Sequence, residues 1–144
     1  MTMPAPGISA EAKSFNWLVN RFADGTAGAM AAIAVSADGL LIAMSAELER
    51  DNADRLAAIS SAMLGLANGV SESYPLGGPD KVIIELEHGY LLVCTISVGC
   101  SLAVVASKQA SLGTIAYEMA MFANRASGVL SPQVIEELKN SVGP

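Results

Sequence analysis

The chain has 144 residues, is 52% hydrophobic but only 5% aromatic, and carries a net charge of -6 with 8 basic residues. The length predicts one domain with a real core, and the singly scattered basic residues offer no patch for a run of phosphates, which excludes nucleic-acid binding. No stretch approaches the roughly 20 apolar residues of a membrane span, and MTMPAPGISAEAK lacks the pattern of a leader, so a cytoplasmic location is expected.

Residues 1–9, with Pro4, Pro6 and Gly7, read as a flexible tail. Ser9 is placed to cap a first helix whose Phe15, Leu18, Val19 and Phe22 share one face and which Asp24-Gly25 closes. Trp17 lies off the centre of that face and is expected at a core edge. Met30 to Ser36 and Leu40 to Ser45 are short apolar runs, and Ala37-Asp38-Gly39 supplies the turn of a hairpin.

Asp51 to Ser73 reads as one long helix with two unlike faces. Asp51 or Asn52 is expected to cap it, and Asp54 adds negative charge at the positive end of the dipole. Leu56, Ile59, Met63, Leu66 and Val70 recur at helical spacing and are expected to face the chain's own core. The opposite face holds Asp54, Ala58, Ser61, Gly65, Asn68, Gly69 and Glu72, mostly small side chains where a solvated helix would carry Lys and Glu. Two glycines there cost roughly 1 kcal/mol each relative to alanine. Close approach of a second helix would offset that cost; the alternative is a loop of the same chain.

Tyr74 to Pro79 is too rich in Pro and Gly to be regular. Three strands follow: Lys81 to Glu87, Tyr90 to Ser97 and Leu102 to Ser107, with turns at His88-Gly89 and at Val98 to Ser101. In the first, Val82, Ile84 and Leu86 point to one side and Ile83, Glu85 and Glu87 to the other. A last long helix runs from Ser111 to Ala126, and Ser131-Pro132 opens a short amphipathic helix that either packs back or stays free.

The predicted fold is therefore α+β, in the order α-β-β-α-β-β-β-α, with a five-stranded antiparallel sheet and helices on its faces. The domain spans 10–127, and 128–144 form a C-terminal tail with the short amphipathic helix. Lys81 to Glu87 is expected at a sheet edge, with Ile83 outward on the helix-poor side, an aggregation hazard unless a second chain pairs with it. One two-fold axis would serve both this edge and the small helix face.

An enzyme reading finds little. His88 is the only histidine and sits in a turn, Glu85 and Glu87 read as solvent-side carboxylates, and GxxxxGK[ST] is absent. Cys94 and Cys100 have no metal-site spacing and read as reduced thiols, the first in the core and the second in a loop. The expectation is a non-enzymatic protein with no catalytic residue, cofactor or metal.

The segments FNWLVNRFADGTAGAMAAIAVSADGLLIAMS, DRLAAISSAMLGLANGV and HGYLLVCTISVGCSLAVVAS, in this element order, resemble the roadblock family of dynein light-chain relatives. The likeness is strongest to the bacterial, actinobacterial type encoded beside a sensor-kinase-like protein and a Ras-like GTPase, and it covers Ala12 to Ala126. It implies a roadblock/longin/profilin-like fold and a homodimer in which second helices pack antiparallel and third strands pair. Carried over, the helix contact falls on Ala58, Ser61, Ala62, Gly65 and Gly69, and the strand contact on Val82, Ile83, Ile84 and Glu85. It further implies that the paired helices bind a small Ras-like GTPase and modulate its nucleotide cycle, with Asp51, Asp54 and Arg55 at the rim. The tail after Gly128 matches no family pattern.

Two other readings stand beside this one. The first is a small-ligand sensor, which needs a cavity with convergent polar groups. The strands are lined by Ala, Val, Leu and Ile, with Thr95 and Ser97 as the main polar exceptions, which favours a filled core. The second is a scaffold that bridges a sensor-kinase-like protein and a GTPase without touching nucleotide state.

Overall fold

A computed structural model describes residues 9–97 and 99–141. The expected tail, apart from Ser9, and Val98 of the expected turn lie outside the described residues, as do the last three of the C-terminal tail. Elements follow the order α1 (Ala10–Gly25), β1 (Ala29–Ser36), β2 (Leu41–Met44), α2 (Arg50–Ser73), β3 (Lys81–Leu86), β4 (Gly89–Ser97), β5 (Cys100–Ser107), α3 (Leu112–Ser127) and α4 (Pro132–Ser141). The five strands form one antiparallel sheet in the order β2-β1-β5-β4-β3. Among the described residues, no helix is long and apolar enough to cross a membrane.

Local chemistry accounts for most boundaries. Hydroxyl oxygens of Ser9, Ser111 and Ser131 accept from Ala12, Thr114 and Val134 N–H groups, capping α1, α3 and α4. The β1–β2 turn closes because Gly39 adopts φ 83°, a region open to glycine, while the Ser36 hydroxyl donates to Asp38 and accepts from Leu40 N–H. The start of α2 departs from expectation. It begins at Arg50, one residue before Asp51, its N-cap Glu49 makes no side-chain cap, and Asp51 sits in the first turn as a dipole partner.

The sheet separates two cores. On one face Ala32, Ala34, Leu92, Leu102 and Val104 pack with Phe15 and Val19 of α1, Met119 and Phe122 of α3 and Leu138 of α4. The Phe122 ring meets Phe15 and Phe22 edge-on, with centroids 6.0 and 5.7 Å apart. On the other face Ile33, Val35, Leu91, Val93 and Ala103 meet a single helix, α2, through Ala53 and Ala57. Sequence composition left the position of the C-terminal helix open; here α4 packs back. Val134 and Leu138 join the three-helix core, Glu137 accepts from the Ser9 N–H and hydroxyl at 2.7 Å each, and Lys139 reaches Asp38.

Three expectations are corrected. Trp17 is exposed rather than packed at a core edge, with the Arg21 guanidinium 4.9 Å from its ring centre. Cys100 is the buried thiol and Cys94 the half-buried one, because Cys100 already belongs to β5 and faces the three-helix core. Ile83 pairs with Leu92 and so shares the three-helix face, not the helix-poor one. It stays exposed because β3 is the outermost strand.

Candidate functional site

The helix α2 lies on its sheet by small side chains. Its buried residues are Ala53, Ala57 and Ser60, spaced four and three apart, and the Ser60 hydroxyl is satisfied by the Leu56 carbonyl at 2.8 Å. Small residues in the contact bring helix and sheet close. The expected orientation holds only in part: of the large stripe, Leu56 packs against this core and Met63 is half-buried, while Ile59, Leu66 and Val70 are 44, 68 and 53% exposed. The physical reason is rotation. Ile59 lies six residues from Ala53, which at roughly 100° per residue places it well round the helix from the sheet.

The small positions Ala58, Ala62, Gly65 and Gly69 are exposed as well. A Cβ added at Gly65 or Gly69 would meet nothing within 4 Å. Nothing within the described chain therefore requires glycine at either position. Ser61 differs from its neighbours: it is half-buried, and its Oγ would lie 3.3 Å from a Cβ at Gly39, so it turns toward the chain's own hairpin.

The strand β3 supplies the second part. It is an edge, as expected, and among the described residues pairs only with β4. Val82 and Ile84 oppose Val93 and Leu91, which places them on the α2 face, both half-buried; Leu86, two residues on, is 58% exposed and Ile83 on the other face 42%. Glu85 is held by Lys108, whose ammonium also stands 4.6 Å from the Tyr90 ring centre. The contact with Glu85 raises the Lys108 pKa. The other edge, β2, is only four residues long and has α1, α2 and α4 packed against it. Among the described residues, β3 is thus the longer of the two edges and has no strand on its outer side.

At the N-terminal end of α2, Asp54 accepts two bonds from Arg50 Nε at 3.1 and 3.2 Å, while Asp51 and Arg55 are exposed. His88 stands exposed in the β3–β4 turn, 3.7 Å from Glu87. Among the described residues no three His, Cys, Asp or Glu side chains lie together as metal ligands do. Burial raises the pKa of Cys94 to about 11 and of Cys100 to about 12, which makes both poor nucleophiles at neutral pH.

A half-open cleft at the surface stands beside the filled cores. Where the β1–β2 and β4–β5 turns meet the middle of α2, a cavity of about 390 Å³ is lined by Ser36, Ser61, Asn68, Thr95, Ser97 and Ser101, among others. Thr95 and Ser97, the two polar exceptions of the strands, both open onto it.

A Roadblock/LC7 domain model matches residues 15–106. The fold is similar to the crystal structure of a Roadblock/LC7 domain from Streptomyces avermitilis, at 29% identity and a TM-score of 0.75, over 78% of this chain and 94% of that one. It is similar to Myxococcus xanthus MglB at 14% identity and a TM-score of 0.74, over 81% and 94% of the two chains. A profilin of Schizosaccharomyces pombe shares the fold more loosely, at 18% identity and a TM-score of 0.57, over 81% of this chain and 99% of that one. A search of curated proteins finds no sequence match.

Proposed function

Because the chain belongs to the Roadblock/LC7 domain family, we propose that it is a non-catalytic homodimeric regulator that binds a small Ras-like GTPase through its paired second helices. The observation that carries the reading is the uncovered apolar surface on α2 and on the open β3 edge of a fold of this family. The dimer contact comprises Val82, Ile83, Ile84 and Glu85 of the edge with Ala58, Ala62, Gly65 and Gly69 of the helix. The exposed Ile59, Leu66 and Val70 join it in place of the inward-turned Ser61.

Magnitudes decide that helix and strand act together. Fully burying one Leu, Ile or Val side chain contributes about 1.5–3 kcal/mol, so the half-exposed Ile59, Leu66, Val70 and Ile83 offer roughly 1 kcal/mol each. Over both copies that is about 8 kcal/mol, comparable with the 4–15 kcal/mol or so lost on association. The apolar residues alone leave little surplus. Pairing β3 with its copy adds backbone hydrogen bonds and removes an aggregation-prone edge.

The GTPase sits across the groove between the two copies, with Asp51, Asp54 and Arg55 at the rim. Any effect on hydrolysis comes from positioning the GTPase's own groups or from Arg55 entering in trans. The test is light scattering of the purified protein alone and mixed with a candidate GTPase loaded with GTP or GDP. A dimer that binds one nucleotide state preferentially is expected, and a monomer at micromolar concentration contradicts the reading. Turnover with Arg55→Ala then isolates the arginine: an undiminished rate removes its catalytic contribution and leaves docking in place.

A further inference from the structure

We propose that β3 is a self-complementary edge that pairs with a second copy of this chain in one register. Ile83 lies on the two-fold axis against its own copy, and Lys81 of each chain stands opposite Glu85 of the other. The inference rests on the dimer proposed above and adds what that reading leaves open, the register of the two strands and the residues that select it.

The β3–β4 hairpin decides which backbone groups face outward. Leu86 pairs with Gly89 across a turn of two residues, Glu87 and His88. Adjacent turn residues cannot bond each other across the ladder, so Leu86 and Gly89 are themselves a hydrogen-bonded pair. Such pairs alternate along an antiparallel ladder, and Ile84 and Val82 therefore also bond inward, to Leu91 and Val93. The N–H and C=O groups of Lys81, Ile83 and Glu85 then point away from β4, and among the described residues no strand lies there to receive them.

Side chains choose among the registers that this backbone allows. Lys81, Ile83 and Glu85 stand opposite Cys94, Leu92 and Tyr90, on the three-helix face, and all three are exposed. A two-fold copy runs antiparallel, and its ladder joins only where outward-bonding residues oppose each other, which sets the axis on a single residue. Moving the axis by one residue shifts the pairing by two, so the pleat is kept and the side-chain match decides. With the axis at Ile83, Lys81 faces Glu85, Val82 faces Ile84 and Ile83 faces itself, so cation meets anion and apolar meets apolar. With the axis at Ile84, Lys81 faces Glu87 of the turn and Ile83 faces the Glu85 carboxylate. With the axis at Val82, Lys81 faces Ile83, and with the axis at Glu85 two carboxylates collide.

Both charged partners are prepared for this contact. Lys108 holds Glu85 through Oε2 on the three-helix face and leaves Oε1 to accept from a second cation. The Lys81 ammonium is 3.7 Å from the carboxylate of its neighbour Asp80, which is itself fully exposed. Opposite charges directly across a strand pair favour it and like charges oppose it.

The test measures self-association of the full chain by sedimentation equilibrium, alongside Lys81→Glu, Glu85→Lys and the double variant. Each single variant replaces two ion pairs per dimer by two like-charge pairs and is expected to weaken association about thirtyfold. An equimolar mixture of the two single variants is expected to regain native affinity, because two acidic positions then face two basic ones. The double variant regains it alone, and this rescue shows that the substituted chains fold. Native affinity in both single variants overturns the register, as does their failure to recover on mixing. Rescue of Lys81→Glu by Glu87→Lys in place of Glu85→Lys moves the axis to Ile84 and overturns it too. In each of these cases the native dimer still stands, whereas a monomeric native chain removes the dimer and the register together.

Discussion

Replacing Gly65 and Gly69 with alanine separates the stability of the fold from that of the dimer, because the two respond with opposite sign. Within the chain, a Cβ at either position meets nothing within 4 Å, so no clash opposes the substitution. Alanine is favoured over glycine in a helix interior by about 1 kcal/mol, so the double variant should gain roughly 2 kcal/mol of fold stability. That gain is common to monomer and dimer and cancels from the dissociation constant. At a two-fold contact each added methyl appears twice, and overpacking costs about 1–3 kcal/mol per site. Even the lower end, about 2 kcal/mol per substitution, weakens association roughly 30-fold. Urea unfolding at concentrations where the protein is monomeric measures the first effect, and sedimentation equilibrium measures the second. Loss of monomer stability would refute the reasoning, since it would mean that this face packs on its own chain. Unchanged association would remove the glycines from the interface.

Three further outcomes are expected. Ile83→Lys places a charge on the open edge of the sheet, so it should leave the monomer within about 0.5 kcal/mol of native stability while abolishing the dimer, as read by circular dichroism and size exclusion. The Asp38 carboxyl is held below its ordinary value of 3.8, chiefly by the Ser36 hydroxyl and further by Lys139. Its contribution is therefore fully present above about pH 4 and is lost as pH falls through the lower folded value; Asp38→Asn should flatten that part of an acid-unfolding curve. Cys94 and Cys100, raised by burial from 9.0 to about 11 and about 12, contribute stability below pH 9 that is lost as pH rises through those folded values. Alkylation by iodoacetamide at pH 8 should be slow in the native protein and fast in urea, and equal rates would contradict the burial.

The elements were largely legible because their signals are local. Serine caps, the Asp-Gly turn, alternation in Lys81 to Leu86 and the apolar face of α1 each involve residues within a few positions of one another. The candidate surface was legible only in part. Periodicity found both stripes of α2 and the open edge, yet it assigned the large stripe to the chain's own sheet. Hydrophobicity marks a surface that leaves water, and it does not distinguish a surface covered by the same chain from one available to a second. The small residues misled in the complementary way: Ala53, Ala57 and Ser60 face the sheet because their size permits close packing. In the sequence alone the same property reads as the mark of a partner.

By itself, the sequence determined the number, type and order of the elements, the family likeness, the edge position of Lys81 to Leu86, and the lack of a basic patch for nucleic acid. The tertiary structure alone decided which way α2 is rotated, that Ser97 and Thr95 border a cavity, and that α4 closes on the first half of the chain. Lys139 meets Asp38 across 101 residues and Glu137 meets Ser9 across 128. No local pattern records such contacts, because they depend on where the sheet brings distant segments together. A helix's sequence is likewise unchanged by rotation about its own axis; only the surface it packs against selects one face.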